Sequence, residues 1–92
     1  MTTDCAIDDL FAYIKAIVSP LLEPGDDVTV ERHDVDGSHV FYVLVDSRSI
    51  RFVIGRGGKV AEAVRILVRA RASARGLAGV NLQIRAKTEM TR

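Results

Sequence analysis

Three of the four residues in Gly55-Arg56-Gly57-Gly58 are glycine, and no other stretch constrains the chain as strongly. A backbone without Cβ reaches positive φ and admits another backbone or a ligand at close range, at a high conformational-entropy cost. The apolar run Phe52-Val53-Ile54 leads into it, Lys59 follows, and a long apolar-periodic segment starts at once. Such a segment either turns a corner between two helices or also holds a phosphate backbone.

The flanking pattern sets the corner in a small α+β domain. In residues 4–19 Ile7, Leu10, Phe11, Ile14, Ile17, Val18 and, just beyond, Leu21 recur at helical spacing, with Thr3 or Asp4 as cap and Pro20 as a stop. Val28–His33 alternates as a half-buried strand, Asp36-Gly37 signals a tight turn, and Val40–Val45 reads as a more deeply buried strand. Residues 48–53 predict a short helix, with Ser47 and Ser49 as caps. A second long helix is expected from 58 or 59 to 75, ended by Gly76. Val60, Ala63, Val64, Leu67, Ala70 and Ala74 are assigned to its inward stripe, and Glu62, Arg65, Arg69 and Ser73 to the outer side. Arg71 falls near the inward stripe and needs a partner or a route to solvent. Val80–Ile84 alternates as a third strand. The expectation is one domain over residues 1–85, of order α-β-β-α-α-β with a three-stranded sheet and helices on one face, and a disordered tail at 86–92.

Composition removes several functions. With 48% apolar residues the chain can fold without metal or disulfides, and Cys5 is its one cysteine. No clustered Cys or His offers a zinc site, and Cys5 has no histidine placed to activate it. His33 and His39 flank the hairpin turn, where they can face each other as surface residues, while Asp34 and Asp36 serve the turn. No apolar run approaches the roughly 20 residues of a membrane span, and Met1–Asp4 does not open like a secretory signal. A non-catalytic, cofactor-free cytoplasmic protein is the expectation.

Charge is distributed unevenly. Residues 1–47 carry ten Asp/Glu and two Lys/Arg, a balance of −8, whereas residues 48–92 carry eleven Lys/Arg and two Asp/Glu, a balance of +9. The glycine segment lies in the basic half, which suits a polyanion partner. Alternatively the halves neutralise each other within the fold or between subunits.

Nucleotide-loop motifs do not fit. The segment lacks the spacing GxxxxGK[ST], Val60 stands where a hydroxyl should follow Lys59, and Gly55-Arg56-Gly57-Gly58 lacks both G-x-G-x-x-G and a βαβ frame. What survives is G-x-x-G between two helices. With that placement, the chain resembles the KH family of single-strand RNA-binding domains, in the type II arrangement that has an extra helix in front. Residues 53–65, the alanine-rich helix and Val80–Ile84 are most similar to small bacterial proteins made of a single KH domain.

The resemblance implies that the loop clamps a stretch of about four nucleotides by their backbone. Loop amides, Arg56 and Lys59 would hold phosphates. Val53, Ile54 and Val60 would line an apolar groove for the bases, with Val43 or Val45 as further candidates. Arg65 and Arg69 would extend the phosphate track. It also implies an RNA chaperone or post-transcriptional regulator linked to cell elongation, division and cell-wall synthesis. Such proteins form homodimers or pair with a larger KH-containing RNA-binding protein. Two residues depart from the family pattern: Arg51-Phe52 where a small residue commonly precedes the aliphatic pair, and Arg71 where alanine is usual. A protein-interaction module on the same scaffold, and single-stranded DNA binding, are the alternatives.

Overall fold

The first helix, α1 (Thr3–Val18), buries Ile7, Leu10, Ile14 and Val18 on one stripe, with Phe11 and Ile17 half-buried beside it. A single 3₁₀ turn, Ser19–Leu21, takes up Pro20 and ends the helix. The computed structural model describes residues 3–87. Met1, Thr2, the side chains of the candidate caps Thr3 and Asp4, and tail residues 88–92 lie outside the described residues.

Strand β1 (Val28–Val35) and strand β2 (Ser38–Val45) form an antiparallel hairpin. Asp36 and Gly37 both take positive φ, 52° and 82°, as a two-residue turn matched to strand twist requires. The register puts His33 opposite Val40 and Asp34 opposite His39, so the two histidines do not meet as the sequence suggested. Successive strand residues point to opposite faces. His39 Nδ1 instead stands 3.0 Å from Asp34 Oδ1, and His33 packs edge-on against Tyr42.

Helix α2 (Ile50–Ile54) and a 3₁₀ turn, Arg56–Gly58, lead into helix α3 (Lys59–Ala74). The chain closes with strand β3 (Val80–Ala86), parallel to β2, giving a mixed sheet of order β1-β2-β3. Pairing runs through Ala86, which is buried, so the regular structure extends one residue past the expected end of the domain. Phe41, Val43 and Val45 of central β2 face the helices together with Val80, Leu82 and Ile84 of β3. Each fully buried side chain of this size contributes roughly 1.5–3 kcal/mol of transfer free energy.

Helix α3 is rotated relative to the expected stripe. Its buried residues are Ala61, Val64, Val68 and Ala72, whereas Ala63, Leu67, Ala70 and Ala74 are exposed. The helix is apolar on most of its circumference, so periodicity alone left its phase open. The small side chains of Ala61 and Ala72 let it lie close on its neighbours. Its end follows the expected chemistry: Gly76 at φ 77° accompanies amide bonds from Gly76 to the Ser73 carbonyl and from Leu77 to the Ala72 carbonyl.

Two ion-paired carboxylates join the acidic half of the chain to the basic half. Asp9 of α1 accepts two 2.8 Å hydrogen bonds from the Arg71 guanidinium, which also stands over the Tyr13 ring, and Arg75 Nε lies 3.4 Å away. Asp26, ahead of β1, has a side chain only 1% exposed and accepts from Arg48 and from the Ser49 hydroxyl. Ser49 occupies the N-cap position of α2 but makes no side-chain cap bond, because its hydroxyl is committed to Asp26.

The Arg71 bond and the nearby positive charges hold the Asp9 carboxyl down to about 2, from an ordinary 3.8; the Arg48 and Ser49 bonds do the same for Asp26. Both groups ionise more readily folded than unfolded. Their stabilisation is therefore complete above about pH 4 and is lost as pH falls through about 2. Replacing both with Asn should lower stability at neutral pH and flatten its acid dependence in that window. Urea unfolding followed by circular dichroism, repeated at several acid pH values, checks this; an unchanged pH profile would rule it out.

Candidate nucleic-acid interface

The glycine segment is a rigid turn with a different requirement at each position. Gly55 closes α2 by donating its amide to the Arg51 carbonyl at 2.9 Å, and sits at φ 78°, ψ 174°. That region is open essentially to glycine alone. A Cβ there would stand 2.3 Å from Val60 Cγ2, so the contact with the first turn of α3 also excludes a side chain. Gly57 and Gly58 take left-handed conformations (φ 63° and 77°), and an added Cβ at either would meet nothing within 4 Å. Gly55 therefore locks the corner. Gly57 and Gly58 leave its outer surface bare.

Arg56 and Lys59 are both exposed on this corner, and among the described residues neither has an ion-pair partner. Lys59 is the first residue of α3, where the positive dipole end favours an anion, while its own amide and that of Gly58 are taken by the Arg56 and Gly55 carbonyls. Ile54 and Val60 are half-buried beside the loop and remain available as an apolar floor. Val53 is not, being fully buried, and neither are Val43 and Val45 in the sheet. These three support the site from within the core, because their positions face the helix–sheet interior.

Two further arginines of the expected site reach from α3 to the edge strand β3. Arg65, half-buried, donates from Nε to the Leu82 carbonyl at 3.2 Å, and Arg69 reaches Asn81 Oδ1 at 3.3 Å. Both arginines thus lie along the boundary between α3 and β3, rather than on a helix face remote from the sheet. Beyond them is a hollow of about 400 Å³ that includes Arg69, Ser73, Leu77, Gly79 and Asn81. Asn81 was not singled out from sequence; its exposed place in an alternating strand was the signal available. The Asp26–Ser49–Arg48 tether that anchors the approach to α2 had no local signature.

These contacts also resolve the charge asymmetry in part. Arg48, Arg71 and Arg75 are engaged with the acidic half, as internal neutralisation requires. Among the described residues, Arg56 and Lys59 at the loop, and Arg65 and Arg69 along the α3–β3 boundary, form no ion pair with a carboxylate. Among the described residues, no group of three or more His, Cys, Asp or Glu is placed to hold a metal, and no helix is long and apolar enough to cross a membrane.

An α-β-β-α-α-β chain with a parallel β2–β3 pair and a G-x-x-G turn between α2 and α3 has the type II KH fold. KH domains are non-catalytic modules. The family described as KhpA/KhpB, KH domain, matches residues 12–84, and the chain belongs to it. RNA-binding protein KhpA of Lactiplantibacillus plantarum is 35% identical over 60 residues, covering 65% of this chain and 71% of the relative. RNA-binding protein KhpA of Listeria monocytogenes is 35% identical over 55 residues, covering 60% of this chain and 72% of the relative. No solved structure matches the chain.

Proposed function

We propose that this protein binds single-stranded RNA without catalysis, clamping the backbone at Gly55–Gly58. The observation that carries the reading is the loop itself: a corner locked by Gly55, bare at Gly57 and Gly58, and bearing two exposed cations that have no ion-pair partner among the described residues. Phosphates sit against the bare outer backbone at Gly57 and Gly58 and the side chains of Arg56 and Lys59. Bases lie toward Ile54 and Val60, and the strand continues along Arg65 and Arg69. Aromatics are few on this path, so affinity comes from the backbone and aliphatic contact, with limited sequence preference.

The test is a titration of labelled, unstructured RNA followed by fluorescence anisotropy across a range of salt. Affinity should fall with rising salt, and Lys59→Gln should reduce the logarithmic slope by about 0.7, the loss of one phosphate contact on a single strand. A slope unchanged by that substitution would remove Lys59 from the clamp. Competition with DNA of the same sequence separates the RNA reading from the single-stranded DNA alternative. In a bacterial cytoplasm such binding suits an RNA chaperone or post-transcriptional regulator, and we propose that it acts in cell elongation, division and cell-wall synthesis.

A second reading, self-association or pairing with a larger KH-containing protein, is compatible with the first. Arg71 does not motivate it, because that side chain is engaged with Asp9. The adjacent Ile66 and Leu67 do, being 56% and 46% exposed on α3. Ile66→Asp with Leu67→Asp should lower the mass found by light scattering at high concentration; a wild-type protein that is monomeric throughout would sink the homodimer.

A further inference from the structure

Just ahead of the glycine loop, α2 presents two large side chains that the clamp does not use. Phe52 is 38% exposed, and the Arg51 guanidinium carbon stands 5.0 Å from its ring centroid. With Glu23, Pro24 and Arg48 they line an open cavity of about 350 Å³. A singly exposed phenylalanine is unremarkable on a protein surface. What distinguishes this one is its company: a flat ring, a guanidinium plane, a proline and one carboxylate around a single hollow.

We propose that this cavity receives one nucleobase of the bound strand, adjoining the nucleotides held at the loop. The inference rests on the RNA-clamp reading. The base stacks on Phe52 and the Arg51 guanidinium, both of which offer flat faces to any base. The Glu23 carboxylate accepts a hydrogen bond from an exocyclic amino group.

Charge argues for a base here rather than a phosphate. Arg48 is already paired with Asp26, and the Glu23 carboxylate shares the lining with Arg51, so the lining gives a bare anion little net attraction. Proximity argues for the same strand. The Arg51 carbonyl accepts the Gly55 amide at 2.9 Å, and the five residues of α2 span only about 7.5 Å at roughly 1.5 Å each. The cavity therefore lies within one nucleotide's reach of the loop, and the proposal places the nucleotide next to the clamped ones over it.

The experiment compares RNA oligonucleotides of four and of seven nucleotides, the longer ones carrying 2-aminopurine at an end, against wild-type, Phe52→Ala and Arg51→Gln proteins. Wild type should quench the fluorophore in the seven-mer and bind it more tightly than the four-mer. Phe52→Ala should abolish the quenching and lose about fivefold or more in seven-mer affinity, with four-mer affinity unchanged. Arg51→Gln, which leaves the ring in place, should give a smaller loss of the same kind. Equal losses on both lengths, or no quenching in wild type from either end, would overturn the base pocket. Free nucleoside monophosphates are the control; binding them as well as the seven-mer would also overturn a strand-linked site. Failure of the clamp reading looks different: charge reversal at Arg56 and Lys59 would then leave binding of both lengths intact.

Discussion

Reversing both loop charges, Arg56→Asp with Lys59→Asp, is expected to weaken binding of single-stranded RNA by about a hundredfold or more while leaving the fold intact. Each side chain supplies a charge-assisted contact to phosphate, worth about 1.5–3 kcal/mol, and every 1.4 kcal/mol is tenfold in affinity. Reversal replaces attraction with repulsion, so the loss should exceed that of neutral substitutions. Both residues are exposed and have no ion-pair partner among the described residues, and surface changes of this kind usually move stability by no more than about 0.5 kcal/mol. Anisotropy titration and a urea melt of the same preparation give both readings. Unchanged affinity in a folded double variant would refute the clamp.

The second large effect concerns stability. Gly55→Ala places a Cβ 2.3 Å from Val60 Cγ2 and 2.7 Å from Val60 Cβ, in a backbone region that side chains do not adopt. Backbone strain costs on the order of 1–3 kcal/mol and overpacking a similar amount. A total of about 3–5 kcal/mol is a large part of the stability of a small domain. Adding Val60→Ala should recover only part of it, since the Cβ contact and the strain remain. Gly58→Asn should cost far less, because the space there is open and asparagine tolerates the left-handed region. Equilibrium urea unfolding of the three variants beside the wild type checks the order; equal destabilisation at Gly55 and Gly58 would contradict the assigned roles.

Much of the fold was legible because its signals are local. The stripe Ile7, Leu10, Ile14, Val18 recurs at helical spacing, with Asp8 and Lys15 off it, and it is the stripe the core buries. Alternation marked Val28–His33 and Val80–Ile84, and Asp36-Gly37 announced its turn. Helix α3 was legible as a helix but not in phase. Ile66, Leu67 and five alanines spread its apolar surface well beyond one face, and packing selected Ala61, Val64, Val68 and Ala72. Val53 was misassigned to the groove for a related reason: its place in the motif is evident, whereas the direction of one side chain in a five-residue helix is not.

Sequence by itself determined the glycine corner, the cations beside it and the order of elements around it. Each of these depends on residue type at short spacing, and short spacing is what a linear pattern records. Only the tertiary structure decided which arginines face outward. Arg71 meets Asp9 across 62 residues of chain and Ser49 meets Asp26 across 23. Those partners come together when α1 docks on α3 and the loop ahead of β1 reaches α2. The same docking leaves Arg56 and Lys59 exposed at the turn and lays Arg65 and Arg69 along β3.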